Sequence, residues 1–166
     1  MIEKELVIDM RVLIDDIREK VNRGQSVVLK GEGVSMAPFI TDADLLTLNK
    51  PLFETPKIGE IYLYKRDDGS YAIHRVYAVK NDGVYMLGDA QLFIEKVHKN
   101  CLVAIVSSVK RPHETVNCTK PFVRIRSAVC MKRRILKVKS RWAFHSFLGK
   151  VGRLLHNIKK LIKKER

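Results

Sequence analysis

Three short segments hold residue types that can carry out acyl transfer. In Gly31-Glu32-Gly33-Val34-Ser35-Met36-Ala37-Pro38 a serine sits between Gly33 and Pro38. Gly33 permits backbone geometry that other residues resist, and Pro38 fixes φ and discourages a regular continuation through Ala37. Such a turn can project the Ser35 hydroxyl out of the fold and point its own N–H at a developing oxyanion. Gly-x-Ser-x-x-Pro is also common loop chemistry, so this segment decides nothing alone. The second segment is Tyr71-Ala72-Ile73-His74-Arg75-Val76-Tyr77. Strand alternation puts Ala72, His74, Val76 and Ala78 on one face. Partial desolvation there lowers the imidazole pKa and keeps it neutral, as a general base must be. A lone histidine on such a face is more often a satisfied core residue. The third segment is Leu87-Gly88-Asp89-Ala90-Gln91, followed by Ile94-Glu95-Lys96. Either Asp89 or Glu95 can orient an imidazole and stabilise its cation. Gly-Asp after a strand is also an ordinary turn, and Glu95 also reads as a surface charge.

The elements that must position these residues are mainly β. Residues 3 to 22 have helical spacing, with Leu6, Met10, Leu13, Ile14, Ile17 and Val21 on one face, and Gly24 is the stop signal. This helix is expected to pack on the domain or a partner and to carry no chemistry. From Gln25 to about Val109 the pattern is short strands and turns. Strands are expected at Ser26–Lys30, Leu45–Leu48, Ile61–Lys65, Ser70–Lys80, Val84–Leu87 and about Cys101–Val109. Asp68-Gly69 and Asp82-Gly83 are hairpin signals between them. The pattern is weak from Arg111 to Cys130 and helical again from Met131, where Trp142, Phe147, Leu148, Val151, Leu155, Ile158 and Ile162 fall near one face. The expected organisation is therefore an N-terminal helix over 1–24, an antiparallel β domain over 25–110, and a linker with a basic helical tail over 111–166.

The 166 residues carry a net charge of +14, unevenly placed. Lys132 to Arg166 account for +12 and the preceding 131 residues for +2. A basic amphipathic tail can fold back on the core or lie on an anionic membrane surface. Cys101, Cys118 and Cys130 have neither paired nor metal-ligand spacing and read as reduced thiols, with Cys101 opening an apolar core run. No metal or cofactor is expected. The first residues, MIEKELVIDM, are acidic and amphipathic, unlike a signal peptide, and no apolar run approaches the ~20 residues of a membrane span. The expectation is a cytoplasmic protein, at most peripheral at the inner face of the membrane.

Each chemical signal is weak alone, but their order and spacing resemble the type I signal peptidases, which share a clan with the LexA-like self-cleaving proteases. The serine box is similar to Gly33-Val34-Ser35-Met36-Ala37-Pro38, above all in its Ser-Met-x-Pro core. Asp42-Ala43-Asp44-Leu45-Leu46-Thr47-Leu48 looks like the acidic residues and hydrophobic strand that follow in that family. Gly59-Glu60-Ile61 is similar to its Gly-Asp-Ile-like step. His74-Arg75 looks like the histidine-base version of the endoplasmic-reticulum, archaeal and sporulation types, where the bacterial enzymes use lysine. Gly88-Asp89-Ala90 resembles the Gly-Asp box, and the family's further acidic residue, about six positions on, lands on Glu95. The resemblance runs from about Val28 to Val109.

The resemblance implies a signal peptidase/LexA-like β domain and a serine endopeptidase with Ser35 as nucleophile, His74 as base, and Glu95 or Asp89 as the orienting acid. It implies an extended peptide or precursor-protein substrate, a leader or signal segment with small side chains before the cut. Val34 and Met36 flank the serine and are readable as subsite or as core. Two departures stand out. Gly33 occupies a position that often carries a hydroxyl donor, so the oxyanion must rest on backbone N–H groups, chiefly that of Ser35. The acid at 95 is glutamate where the family favours aspartate. A catalytically impaired peptide-binding homologue is the alternative reading. A nucleic-acid-binding regulator is disfavoured, because residues 3 to 22 supply one helix and not a helix-turn-helix, and the tail's aromatics are not arranged as a stacking platform.

Overall fold

The computed structural model describes residues 10–51 and 54–136. Leu6, the side chain of Met10 and the tail residues Trp142 to Ile162 lie outside the described residues. Eight antiparallel strands form one sheet: β1 (Val27–Lys30), β2 (Leu45–Asn49), β3 (Ile61–Lys65), β4 (Tyr71–Lys80), β5 (Gly83–Leu87), β6 (Glu95–Val97), β7 (Leu102–Lys110) and β8 (Thr115–Asn117). Their order is β1-β2-β7-β3-β4-β5-β6, and β8 pairs with the end of β7. The fold is mainly β, as expected. The six expected strands are present with their ends shifted by a residue or less.

Helix α1 (Met10–Asn22) precedes the sheet. It stops where Gly24 N–H donates to the Val21 carbonyl and Gln25 N–H to the Lys20 carbonyl, a paired closure that satisfies its last carbonyls. Its apolar stripe is the reason it folds onto β1 and β7. Ile14, Ile17 and Val21 are buried in one cluster with Leu46, Leu48, Ile61, Leu63, Val106 and Val109. The helix is thus part of the domain.

Alternation divides β3 between two cores. Ile61 and Leu63 enter the α1 cluster, whereas Tyr62 and Tyr64 enter a second cluster with Val76, Val84, Met86, Val97 and Ile105. Both faces of β3 are therefore covered, and four consecutive residues of it are buried. The same holds in the middle of β4, where His74, Arg75 and Val76 are all buried.

Several expectations need correction. Cys101 is half-buried and closes a one-turn 3₁₀ helix (Lys99–Cys101), so the apolar strand begins only at Leu102. Cys118 is the buried thiol, and burial pushes its pKa up to about 11. The segment from Arg111 is not a plain linker. Arg111 N–H donates to the Glu114 carbonyl, and β8 then pairs with β7, extending the sheet past residue 110. Residues 121–136 are helical, so this helix starts ten residues before Met131. Pro121 stands at its first position, where a missing N–H is tolerated. The chain divides into two compact units, Met1–Ala128 and Val129–Arg166. Among the described residues no helix is long and apolar enough to cross a membrane.

If α1 belongs to the domain core, Ile17→Ala lowers the unfolding free energy by about 2–5 kcal/mol in a urea titration. The exposed Asp15→Ala on the same helix changes it by less than about 0.5 kcal/mol. Equal small effects from both would show a helix only loosely attached.

Candidate active site

Ser35 lies in the loop between β1 and β2. Thr41 N–H and Oγ1 both donate to the Asp44 carboxylate, at 2.8 and 3.2 Å, and Gly31 N–H donates to the Asp44 carbonyl at 2.8 Å. These bonds close the loop at its base. Gly33 has φ of +85°, a conformation that a side chain at this position would strain. Met36 is buried in the α1 cluster, whereas Val34 is 76% exposed and is not a core residue. The Ser35 carbonyl accepts from Ala90 N–H at 2.8 Å, which ties the serine loop to the loop after β5. A Cβ at Gly88 would meet that same carbonyl at 2.6 Å. The glycine of the Gly-Asp pair is therefore needed for close approach to the serine backbone.

Arg75 and His74 are neighbours on β4 and point to opposite faces, each opposite a different β3 residue: Ile61 faces Arg75 and Tyr62 faces His74. Arg75 is 1% exposed. Its Nε and Nη2 donate to Asp89 at 3.0 and 2.7 Å, its Nη1 donates to the Gly59 carbonyl at 2.9 Å, and its guanidinium covers the Phe39 ring at 4.7 Å. Asp89 is thus the counter-ion of Arg75.

Glu95 is the carboxylate beside the imidazole. The register carries it there: Val76 pairs with Met86, and Met86 with Glu95. Val76 shares the His74 face by alternation. Glu95 Oε1 lies 3.4 Å from His74 Nδ1. The Tyr64 hydroxyl sits 2.8 Å from the same Nδ1 and donates to Glu95 Oε2 at 2.8 Å. Arg66 binds the carboxylate as a fork, with Nε to Oε2 at 2.7 Å and Nη2 to Oε1 at 2.9 Å. Sequence reasoning missed Tyr64 and Arg66. The Asp68-Gly69 turn contained a signal, because the hairpin it closes sets Tyr64 opposite Ala72, on the His74 face.

Burial lowers the His74 pKa below its ordinary value. Glu95 and, less strongly, Asp89 oppose that, while Arg66 reinforces it. Burial acts to raise the Glu95 pKa, but the hydrogen bonds from Arg66 and Tyr64 outweigh it and hold the carboxyl below its usual range. Both directions favour a neutral imidazole beside an ionised carboxylate near neutral pH. Ser35, Gly33, Met36 and His74 line one cavity of about 890 Å³, whose walls include Leu13 and Ile14 of α1, Leu29 and Lys30 of β1, and Arg66. Nδ1 is engaged by Tyr64 and Glu95, and Nε2 is the other nitrogen. Among the described residues no cluster of three or more His, Cys, Asp or Glu side chains is arranged to hold a metal ion.

Two outcomes follow. Asp89→Ala leaves the buried Arg75 without its counter-ion and costs about 3–5 kcal/mol of stability, read from the urea midpoint. Acid destabilises the fold through His74 and Glu95 together. The unfolded histidine takes its proton near pH ~6.5, above the folded value, so stability falls as pH drops below that point. The contribution of Glu95 is present above ~4.3, its unfolded value, and is lost as pH falls through its lower folded value. Thermal melts of wild type and His74→Gln between about pH 7.5 and 5 should show a smaller drop in the variant. An equal drop would place the acid sensitivity elsewhere.

Comparison with curated proteins and with solved structures gives no significant match. A family model described as Peptidase S24-like matches residues 3–99, a stretch that contains Ser35, His74, Asp89 and Glu95 and ends before β7. That is more than half of the chain, and the chain accordingly belongs to the Peptidase S24-like family.

Proposed function

We propose that the protein is a serine endopeptidase of the histidine-base, signal peptidase I type. The observation that carries this reading is the held imidazole: Nδ1 engaged on Tyr64 and Glu95, in a cavity that Ser35 also lines. Nε2 is then the nitrogen available to a serine hydroxyl. Ser35 Oγ attacks a peptide carbonyl, and its proton passes to His74 Nε2. The tetrahedral oxyanion is met by the Ser35 backbone N–H, since Gly33 has no side chain to donate. The C–N bond breaks as His74 returns the proton to the leaving amine. Water, deprotonated by the same nitrogen, then hydrolyses the acyl-enzyme and regenerates the Ser35 hydroxyl. Glu95 stabilises the imidazolium, and Asp89 holds Arg75 and the frame.

The substrate is an extended segment, a leader or signal region of a peptide or small protein. Among the described residues β1 is an outer strand of the sheet, and its Leu29 and Lys30 border the cavity, a placement suited to the addition of a strand-like peptide. The basic residues 132–166 are suited to an anionic membrane surface, a setting in which such precursors are presented.

With an extended peptide that the wild type cleaves, Ser35→Ala and His74→Gln each lower kcat by at least about 10³-fold. A serine-directed fluorophosphonate labels the wild type and not Ser35→Ala. Unchanged turnover in either variant overturns the mechanism. Peptide binding without turnover or labelling in the wild type would instead favour the peptide-binding homologue.

A further inference from the structure

The buried polar atoms around His74 form a chain whose proton positions can be counted. Arg66 donates two hydrogen bonds to Glu95, one to each oxygen. The carboxylate is therefore held ionised and can only accept. The Tyr64 hydroxyl has one proton and two near partners, Glu95 Oε2 and His74 Nδ1, each at 2.8 Å. Its side chain is fully buried, and burial first and Glu95 second keep the phenol protonated. The proton goes to the carboxylate, which leaves the phenol oxygen as an acceptor toward Nδ1. Nδ1 must then carry the imidazole hydrogen. The other tautomer would set a nitrogen lone pair against a phenol lone pair at 2.8 Å, with a carboxylate oxygen at 3.4 Å behind it. His74 is 1% exposed, so solvent has little access to relieve that clash.

The geometry points to Tyr64 as a positioning residue that, clamped by Arg66 and Glu95, sets the tautomer of His74 and so keeps the Nε2 lone pair ready for the Ser35 proton. The catalytic consequence rests on the reading of Ser35 and His74 given above; the tautomer itself does not. The groups around the imidazole are Tyr62 and Tyr64 from β3, Arg66 from the hairpin and Glu95 from β6, while Asp89, paired with Arg75 on the other face of β4, acts on it only as a weaker charge. Of these, Tyr64 is within hydrogen-bond distance of Nδ1 and Glu95 Oε1 stands slightly farther off. The phenol also shares the carboxylate's charge, which limits how strongly Glu95 draws a proton onto His74.

The test is ¹⁵N NMR of the full chain labelled at histidine, with the His74 signals identified by their loss in His74→Gln. In the wild type at neutral pH, His74 is expected as the Nδ1–H tautomer, favoured by more than about tenfold, the worth of one charge-assisted hydrogen bond. In Tyr64→Phe, with folding checked by thermal melt, Nε2–H appears alongside it. In the cleavage assay, Tyr64→Phe lowers kcat about 10- to 100-fold with KM within about twofold, less than the roughly 10⁴-fold cost of a fully wrong tautomer. Its acid limb moves to higher pH, because Glu95 without the phenol proton stabilises the imidazolium more. A wild-type His74 in the Nε2–H form overturns the proposal, as does a folded Tyr64→Phe with unchanged tautomer and unchanged kcat. The spectrum needs no substrate. An Nδ1–H imidazole in a protein without peptidase activity therefore sinks the peptidase reading and supports this one.

Discussion

A buried guanidinium must have each nitrogen engaged and its charge balanced, and Arg75 imposes that requirement at the centre of this fold. Asp89 takes two of its nitrogens and the Gly59 carbonyl takes the third, while Phe39 covers its plane. Each partner comes from a different stretch of chain. Phe39 follows the serine turn, Gly59 precedes β3, and Asp89 follows β5. Because the charge is costly to leave unpaired, these three loops are set relative to β4 before any chemistry is considered. Arg111 strengthens the same point: its Nη2 donates to the Phe39 carbonyl at 2.7 Å, and it pairs with Glu114.

The serine turn inherits its position from this frame. The Asp89 loop holds Arg75 through its side chain, and through Ala90 N–H it holds the Ser35 carbonyl. Gly88 permits the approach because the space a Cβ would take is occupied by that carbonyl. The two residues of the Gly-Asp pair therefore serve distinct ends, one steric and one electrostatic. On the other face of β4, one residue away, His74 meets a different set of groups. The two acids divide accordingly, Asp89 to the cation that builds the frame and Glu95 to the imidazole. Strand alternation makes the division possible, since neighbours on β4 cannot share one carboxylate.

The network around His74 combines opposing tendencies. Burial disfavours the imidazolium, Glu95 favours it, and Arg66 and Tyr64 restrain Glu95. An imidazole that is neutral at rest but has a carboxylate at hand for its protonated form has the properties a general base requires. The apolar second core, with Val76, Val84, Met86 and Ile105, surrounds Tyr64 and leaves His74 1% exposed, which limits the access of water to the imidazole.

Much of the frame was legible in the residues. Period-two runs and the Asp-Gly steps marked six strands, because alternation and turn geometry are local properties. The three-residue strands β6 and β8 were not legible, since so few residues establish no period and their pairing depends on β5 and β7. The helix start at Pro121 was missed because the run to Cys130 has little periodicity, although proline at a first helical turn is a known start signal. At the site, the candidacy of Ser35, His74 and two acids came from residue types in a recognisable order. Which acid stands beside the imidazole was a matter of register: β6 had to pair with β5 before Glu95 reached the His74 face. Tyr64 and Arg66 entered only when β3 was laid against β4. The sequence by itself determined the β-rich class and the residues able to do chemistry, because those follow from local pattern and side-chain type. Only the tertiary structure decided which of them share protons, because hydrogen bonds are made across strands far apart in the chain and fail with an ångström of misplacement.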